Sequence, residues 1–186
     1  GMHDTVFGVS PDKHHRLAAL YGVKESTNKL VRADSLGNAA KSMPVYLSGG
    51  GGLISTAFDY FLFLQMLANH GVLGDVRLLS PASIDLMTMN HLPNNQDVST
   101  FGRALGEEIF YDGIGFGLGV SVVIDQAKTR ALCPNGTFGW GGAASTVFWV
   151  DPVEEVTAMF FTQLMPSTTF PIRRFLRQLV YQAITD

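Results

Sequence analysis

From Tyr111 the spacing of apolar residues changes from helical to alternating, and a chain that carries alternating runs up to residue 164 has to build a sheet. In Gly115-Phe116-Gly117-Leu118-Gly119-Val120-Ser121-Val122-Val123, the residues Phe116, Leu118, Val120 and Val122 share one face, which predicts a strand over 115–124. The glycines on its other face imply a neighbour packed closely there. Two further strands are expected at 144–150 and 155–164, joined by the hairpin signal Asp151-Pro152-Val153-Glu154. The three strands make an antiparallel meander.

The flanking segments read as helices. Ser55-Thr56-Ala57-Phe58-Asp59 supplies an N-cap and a Thr-x-x-Asp capping box, and Phe58, Phe61, Leu62, Gln65 and Met66 follow at helical spacing. The expected helix covers 56–69 and is closed by His70-Gly71, with glycine in the left-handed position. Gly74-Asp75 reads as a turn, and Ser80-Pro81 as the capped start of a second helix over 82–89. Residues 94–107 are polar and read as a connection. A terminal helix opens at Phe170-Pro171-Ile172, where Ile172, Phe175, Leu176, Leu179, Val180 and Ala183 form an apolar stripe with Arg173, Arg174 and Arg177 outside it. Residues 3–36 read as surface segments around a small apolar patch at Leu17, Leu20 and Tyr21. The fold class is α+β: an antiparallel meander with flanking helices.

Composition excludes several classes of function. The chain has 186 residues, 46% hydrophobic and 16% charged, enough apolar material for a sizeable core. Its 13 Lys and Arg against 16 Asp and Glu leave a net charge of −3, which gives no electrostatic footing for nucleic acid. The densest apolar stretches, 58–67 and 156–165, fall far short of the roughly 20 residues of a membrane helix, so no span is expected. The single Cys133 cannot form an internal disulfide and suits a reducing compartment such as the cytoplasm. Gly1-Met2 reads as a cloning scar ahead of a start Met, with no signal-peptide pattern behind it.

Candidate chemistry narrows to one stretch. The glycines of Ser48-Gly49-Gly50-Gly51-Gly52 read as a turn before a helix, since the Gly-Lys-Ser/Thr of a phosphate loop does not follow. His3, His14, His15, His70 and His91 are scattered outside any ligand spacing, so no metal and no cofactor are expected. A Gly-x-Ser-x-Gly nucleophile turn is absent. What remains is Asn135-Gly136-Thr137-Phe138-Gly139-Trp140-Gly141-Gly142-Ala143-Ala144-Ser145-Thr146, a large aromatic among glycines. It reads either as an aromatic packed on glycine to finish a sheet edge, or as a substrate-facing edge. In the second case a ligand lies against the backbone, the Ala143 amide points at a developing oxyanion, and the Trp140 indole walls an acyl group.

Four stretches carry a family resemblance. Gly1-Met2-His3-Asp4-Thr5-Val6-Phe7 is like the motif Leu-Gly-Met-x-Asp-Thr-x-Phe. In order along the chain follow Ser48-Gly49-Gly50-Gly51-Gly52-Leu53-Ile54-Ser55-Thr56-Ala57 with Asp59-Tyr60, then Gly115-Phe116-Gly117-Leu118-Gly119, then Phe138-Gly139-Trp140-Gly141-Gly142-Ala143. The chain resembles the C-terminal half of the serine β-lactamase and penicillin-binding-protein-like family, especially its class C and esterase branches. Gly1 then coincides with a family glycine.

The resemblance implies a partial β-lactamase/transpeptidase-like fold. Trp140-Gly141-Gly142 takes the place of the family's Lys-Thr-Gly or His-x-Gly strand motif, as in its Trp-Gly-Gly esterase branch. Trp140, Gly141 and Gly142 would line the substrate site, and the backbone amide of Ala143 would give one oxyanion-hole donor. Loss of the Lys or His tilts the substrate from β-lactams toward esters. The family's nucleophile in Ser-x-x-Lys and its proton-relay Tyr in Tyr-x-Asn or Tyr-x-Ser precede the segment with which this chain opens. Ser10-Pro11-Asp12-Lys13, Ser26-Thr27-Asn28-Lys29 and Tyr46-Leu47-Ser48 match the strings but follow the segment they should precede. A nucleophile must reach its base and the oxyanion donors together, so these matches are read as chance. Residues 1–186 are therefore expected to be the C-terminal part of a single serine hydrolase domain, acting on a small-molecule ester or amide only as part of a complete enzyme. Apolar surface left bare would draw a second copy or a complementing N-terminal chain. The alternative is a non-catalytic binding or assembly module that pairs with another polypeptide.

Overall fold

A computed structural model describes residues 1–24, 26–102 and 111–185. After a 3-10 turn at Pro11–Arg16 come strands β1 (Tyr21–Lys24) and β2 (Lys29–Arg32), then helices α1 (Asp34–Ala39) and α2 (Ala57–Ala68). A short hairpin of β3 (Val72–Leu73) and β4 (Val76–Arg77) leads to helices α3 (Pro81–Met87) and α4 (Val98–Phe101). The second half holds β5 (Ile114–Phe116), β6 (Ser121–Val123), α5 (Gln126–Thr129), β7 (Phe138–Gly141), β8 (Val147–Asp151), β9 (Val156–Phe160), β10 (Leu164–Met165) and α6 (Ile172–Gln182).

Strands β5 to β9 pair in chain order as one five-stranded antiparallel sheet, so the architecture is α+β with a meander at its centre. Every residue of β8 is buried, because the two faces of this strand feed two cores. Phe148 and Val150 point to the side of α2 and α3, where they meet Leu64, Met66, Leu67 and Ile84. Val147 and Trp149 point to the side of α6, where they meet Cys133, Tyr181, Leu176 and Val180. The β8–β9 hairpin forms as the sequence predicts: Asp151 pairs with Val156, and its carboxylate Oδ1 accepts from the Val153 and Glu154 amides at 2.9 and 3.1 Å. Its other oxygen, Oδ2, accepts from the Tyr181 hydroxyl, which pins α6 to the sheet. Burial first, and this hydrogen bond second, push the Tyr181 hydroxyl far above its ordinary pKa, so it remains a donor.

The expected strand over 115–124 is two strands. Gly117 and Gly119 break the alternation, Gly119 sits at φ +90°, and Leu118 is turned out at the tip of a β5–β6 hairpin. The close neighbour inferred from the glycines is present: a Cβ on Gly117 would lie 2.1 Å from the Met87 carbonyl oxygen, and one on Gly115 2.5 Å from the Asn90 side chain. The expected strand over 155–164 also divides, since β9 ends at Phe160 and β10 pairs in parallel with β1 instead. The stretch 21–32, read as surface, is the β1–β2 hairpin, and Leu20 beside it is buried. The connection over 94–107 contains α4, whose N-cap Asp97 accepts from the Thr100 amide at 2.9 Å; residues 103–107 lie outside the described residues.

Helices α2 and α3 begin at their expected caps, with Thr56 accepting from the Asp59 amide at 3.2 Å and Ser80 from the Ser83 amide at 3.1 Å. The buried faces differ from those read from spacing. In α2, Phe58 and Phe61 are exposed and Leu64 and Leu67 buried, because this helix is apolar nearly all round and spacing cannot choose a side. In α6, Phe175 and Leu179 are exposed while Leu176, Val180 and Tyr181 face the sheet. Among the described residues no helix is long and apolar enough to cross a membrane.

Trp149 is 0% exposed at the centre of the α6-side core. Trp149→Ala leaves a large cavity under a strand that cannot collapse without disturbing both faces, and is expected to lower the unfolding free energy by about 3 to 5 kcal/mol in urea titration.

Candidate active site

Strand β7 delivers Trp140 to the junction of two clefts. One, of about 800 Å³, is lined by Asp4, Ser10, Lys13, Ile54 and Tyr60. The other, of about 1070 Å³, is lined by Tyr111, Lys128, Arg173, Arg174 and Arg177. The stretch Trp140 to Ala143 borders both, so the structure brings all four sequence-predicted site residues to one ridge. The Trp140 indole is 39% exposed and is steadied edge-on by the Phe116 ring, with centroids 5.1 Å apart.

The glycines on this ridge answer to the chain's own packing. A Cβ on Gly139 would lie 2.2 Å from the Phe148 carbonyl oxygen, one on Gly141 2.7 Å from the Arg173 guanidinium carbon, and one on Gly142 2.4 Å from the Thr146 hydroxyl. Beyond Gly141 the chain turns within five residues. The Gly142 amide donates to the Thr146 carbonyl at 3.0 Å, the Ser145 amide donates back to the Gly142 carbonyl at 3.1 Å, and the buried Ser145 hydroxyl donates to the Leu164 carbonyl at 2.7 Å. Ala143 stands exposed in this turn, and among the described residues nothing accepts from its N–H. An amide without an acceptor, on an exposed residue beside a flat aromatic wall, can receive a ligand oxygen.

The opposite wall of the smaller cleft is held by Asp59, which is 4% exposed. Its Oδ2 accepts from the Asp4 amide at 2.7 Å and from the Thr5 hydroxyl at 2.9 Å, and that hydroxyl also contacts Ser55 Oγ at 2.8 Å. The capping box is therefore half formed: Thr56 caps the helix, while the carboxylate reaches outward to the first segment. Antiparallel bonds between Val6 and Ile54 at 2.9 and 2.8 Å continue the tie. Lys13 first and Arg16 second hold the Asp4 carboxyl below the usual carboxylate range, so their bridge persists into acid and is lost only as pH falls through that lowered value.

The two serine–lysine strings differ in placement. Ser10 and Lys13 border the smaller cleft, but Lys13 Nζ is engaged by Asp4 Oδ1 at 2.5 Å. Ser26 lies in the β1–β2 turn and Lys29 opens β2, away from both clefts. Tyr46 is exposed, and the Ser48 carbonyl closes the glycine turn by accepting from Gly52 at 2.9 Å. Among the described residues no group of three or more His, Cys, Asp or Glu is placed to hold a metal ion.

Residues 1–182 match the family model described as Beta-lactamase. The chain belongs to the Beta-lactamase family. Protein Rv1367c of Mycobacterium tuberculosis is 40% identical over 169 residues, which are 89% of this chain and 41% of that protein. Among solved structures, the simvastatin synthase LovD of Aspergillus terreus superposes with a TM-score of 0.77 at 22% identity, over 98% of this chain and 47% of LovD. EstCE1, described as a hydrolase with promiscuous acyltransferase activity, gives 0.75 at 23% identity, over 97% of this chain and 47% of its own. The β-lactamase-family chain thus spans about half the length of the relatives it matches, and its fold is the corresponding part of theirs.

Sequence reading missed Arg173 and the reach of Asp59. α6 carries three arginines and no acid at helical spacing, a sign that some of them find acceptors elsewhere in the fold. Asp59→Ala removes the acceptor that joins the first segment to α2. Hydrogen bonds to a buried charge contribute about 1.5 to 3 kcal/mol, so a loss of about 3 kcal/mol is expected in urea titration, with faster amide exchange at Val6 and Ile54.

Proposed function

We propose that this chain supplies one wall of the site of a serine hydrolase that acts on esters or β-lactam-like amides through an acyl-enzyme, and that it does not turn over alone. The observation that carries the reading is the N–H of Ala143, an exposed residue beside Trp140, with nothing inside the described chain accepting from it. In the reaction, a serine oxygen attacks the acyl carbon as its proton passes to the relay, negative charge develops on the carbonyl oxygen, and the alcohol or amine leaves with that proton as the carbonyl re-forms; water then attacks the acyl-enzyme, releasing the acid and returning the proton to serine. The Ala143 amide is the donor for that oxygen, and Trp140, Gly141 and Gly142 form the wall against which the acyl group lies. The nucleophile with its Lys, and the proton-relay Tyr, come from a segment outside residues 1–186, since the Ser10 and Ser26 strings lack a free base at the site.

Trp140 stands where related sites carry Lys or His, so the strand itself offers no cation for a β-lactam carboxylate, which favours esters. EstCE1, a hydrolase with promiscuous acyltransferase activity, agrees with acyl chemistry of this kind. The remainder of the same domain, which completes the site, also covers the apolar residues Phe58, Phe61, Val45 and Tyr46, which are 67, 40, 108 and 80% exposed here. The same exposed residues favour the second reading, a binding or assembly module that pairs with another chain or with a second copy. Translation of the natural reading frame upstream of Gly1 separates the two. Ser-x-x-Lys followed by Tyr-x-Asn or Tyr-x-Ser is expected; a frame holding neither motif overturns the hydrolase reading and leaves the module.

A further inference from the structure

Arg173 lies in the first turn of α6, yet its guanidinium reaches the far end of β7 and donates through Nη2 to the Gly142 carbonyl, and to the Thr146 carbonyl at 3.1 Å. The guanidinium carbon fills the space beside Gly141 where any larger residue would have its Cβ. The Gly142 carbonyl and the Ala143 N–H are opposite ends of one peptide unit. That unit is planar and trans, so whatever fixes the direction of the C=O fixes the N–H in the antiparallel direction. A cation bonded to the oxygen also draws electron density through the amide and makes the N–H a stronger donor, as in any hydrogen-bonded chain of dipoles.

We infer that Arg173 is a positioning residue for the Ala143 amide: it holds the Gly142–Ala143 peptide with its N–H directed away from α6 and polarises it toward the oxygen it receives. The inference rests on the proposal that Ala143 is an oxyanion donor, but it concerns the peptide itself and is read without turnover. Both bonds leave the one nitrogen Nη2, so a single planar NH2 group engages the two carbonyls that bracket the turn. Its hydrogens are fixed in the guanidinium plane, whereas those of a lysine ammonium rotate on a flexible stem. It also gives Gly141 a reason that no ligand supplies, because an alanine there would push the guanidinium off its acceptors.

The amide resonance of Ala143 tests this directly, since a hydrogen bond to the preceding carbonyl deshields the following nitrogen. In 15N-labelled chain, Arg173→Ala and Arg173→Gln are expected to move the Ala143 15N signal upfield and to speed exchange of the Ser145 amide, which shares the Gly142 carbonyl, about tenfold. N-ethylguanidinium at millimolar concentration is expected to restore the Ala143 signal in Arg173→Ala, a rescue that mere loss of stability would not show. Gly141→Ala keeps the arginine but displaces it, and is expected to give the same upfield shift should the Arg173 variants fail to fold. An Ala143 signal unmoved in a folded variant, or moved in Arg173→Ala without rescue, overturns the assignment. Failure here leaves the hydrolase proposal standing, and an upstream frame without a nucleophile leaves the peptide result standing.

Discussion

A strand buried on both faces can exist only if its neighbours bring two separate apolar layers to it, and β8 imposes that demand on the rest of this chain. Phe148 and Val150 require α2 and α3 on one side; Val147 and Trp149 require α6 on the other. The backbone of β8 is satisfied by β7 and β9, and the one ionisable side chain in it, Asp151, is satisfied by the β8–β9 turn and the Tyr181 hydroxyl. Once β8 is placed, the end of β7 is placed with it, because Trp140 pairs with Phe148 and Gly141 with Val147. The candidate site is therefore anchored through β7 to the buried strand β8, as a preorganised donor requires.

Two polar ties then shape the ridge and the wall opposite it. Asp59 takes the amide of Asp4 and the hydroxyl of Thr5, drawing the first segment against α2 so that Ser55, Ile54 and Tyr60 face the cleft. Arg173 takes the carbonyls of Gly142 and Thr146, drawing the turn after β7 toward α6. Each tie joins segments far apart in sequence, and each uses a charged group whose burial is repaid by several acceptors or donors. The apolar residues left bare, Phe58 and Phe61 on α2 and Val45 and Tyr46 before the glycine turn, lie outside the two cores that β8 organises.

The sequence is most legible where a local rule decides the outcome. Thr56 and Ser80 cap their helices, Asp151 closes the last hairpin, and the glycines of 115–119 mark close approach, because capping, turn chemistry and missing side chains act within a few residues. The same glycines misled the strand count, since an alternating run cannot show that Gly119 takes a positive φ and folds the run back on itself. Helix faces were misread where the competing residues are all apolar, as with Phe58 against Leu64 in α2 and Phe175 against Leu176 in α6. At the site, Trp140 to Ala143 could be picked out because an aromatic among glycines is unusual. Arg173 could not, because its acceptors are backbone carbonyls some thirty residues away and carry no sequence signature.

The central claim is that residues 1–186 hold a donor and a wall but no nucleophile. Intact mass after incubation with a fluorophosphonate, for the chain and for Ser10→Ala and Ser26→Ala, tests it most directly. The account predicts no mass increase in any of the three. A stoichiometric adduct on the unaltered chain that disappears in one of the serine variants would contradict it, and would make that serine the nucleophile of a complete enzyme.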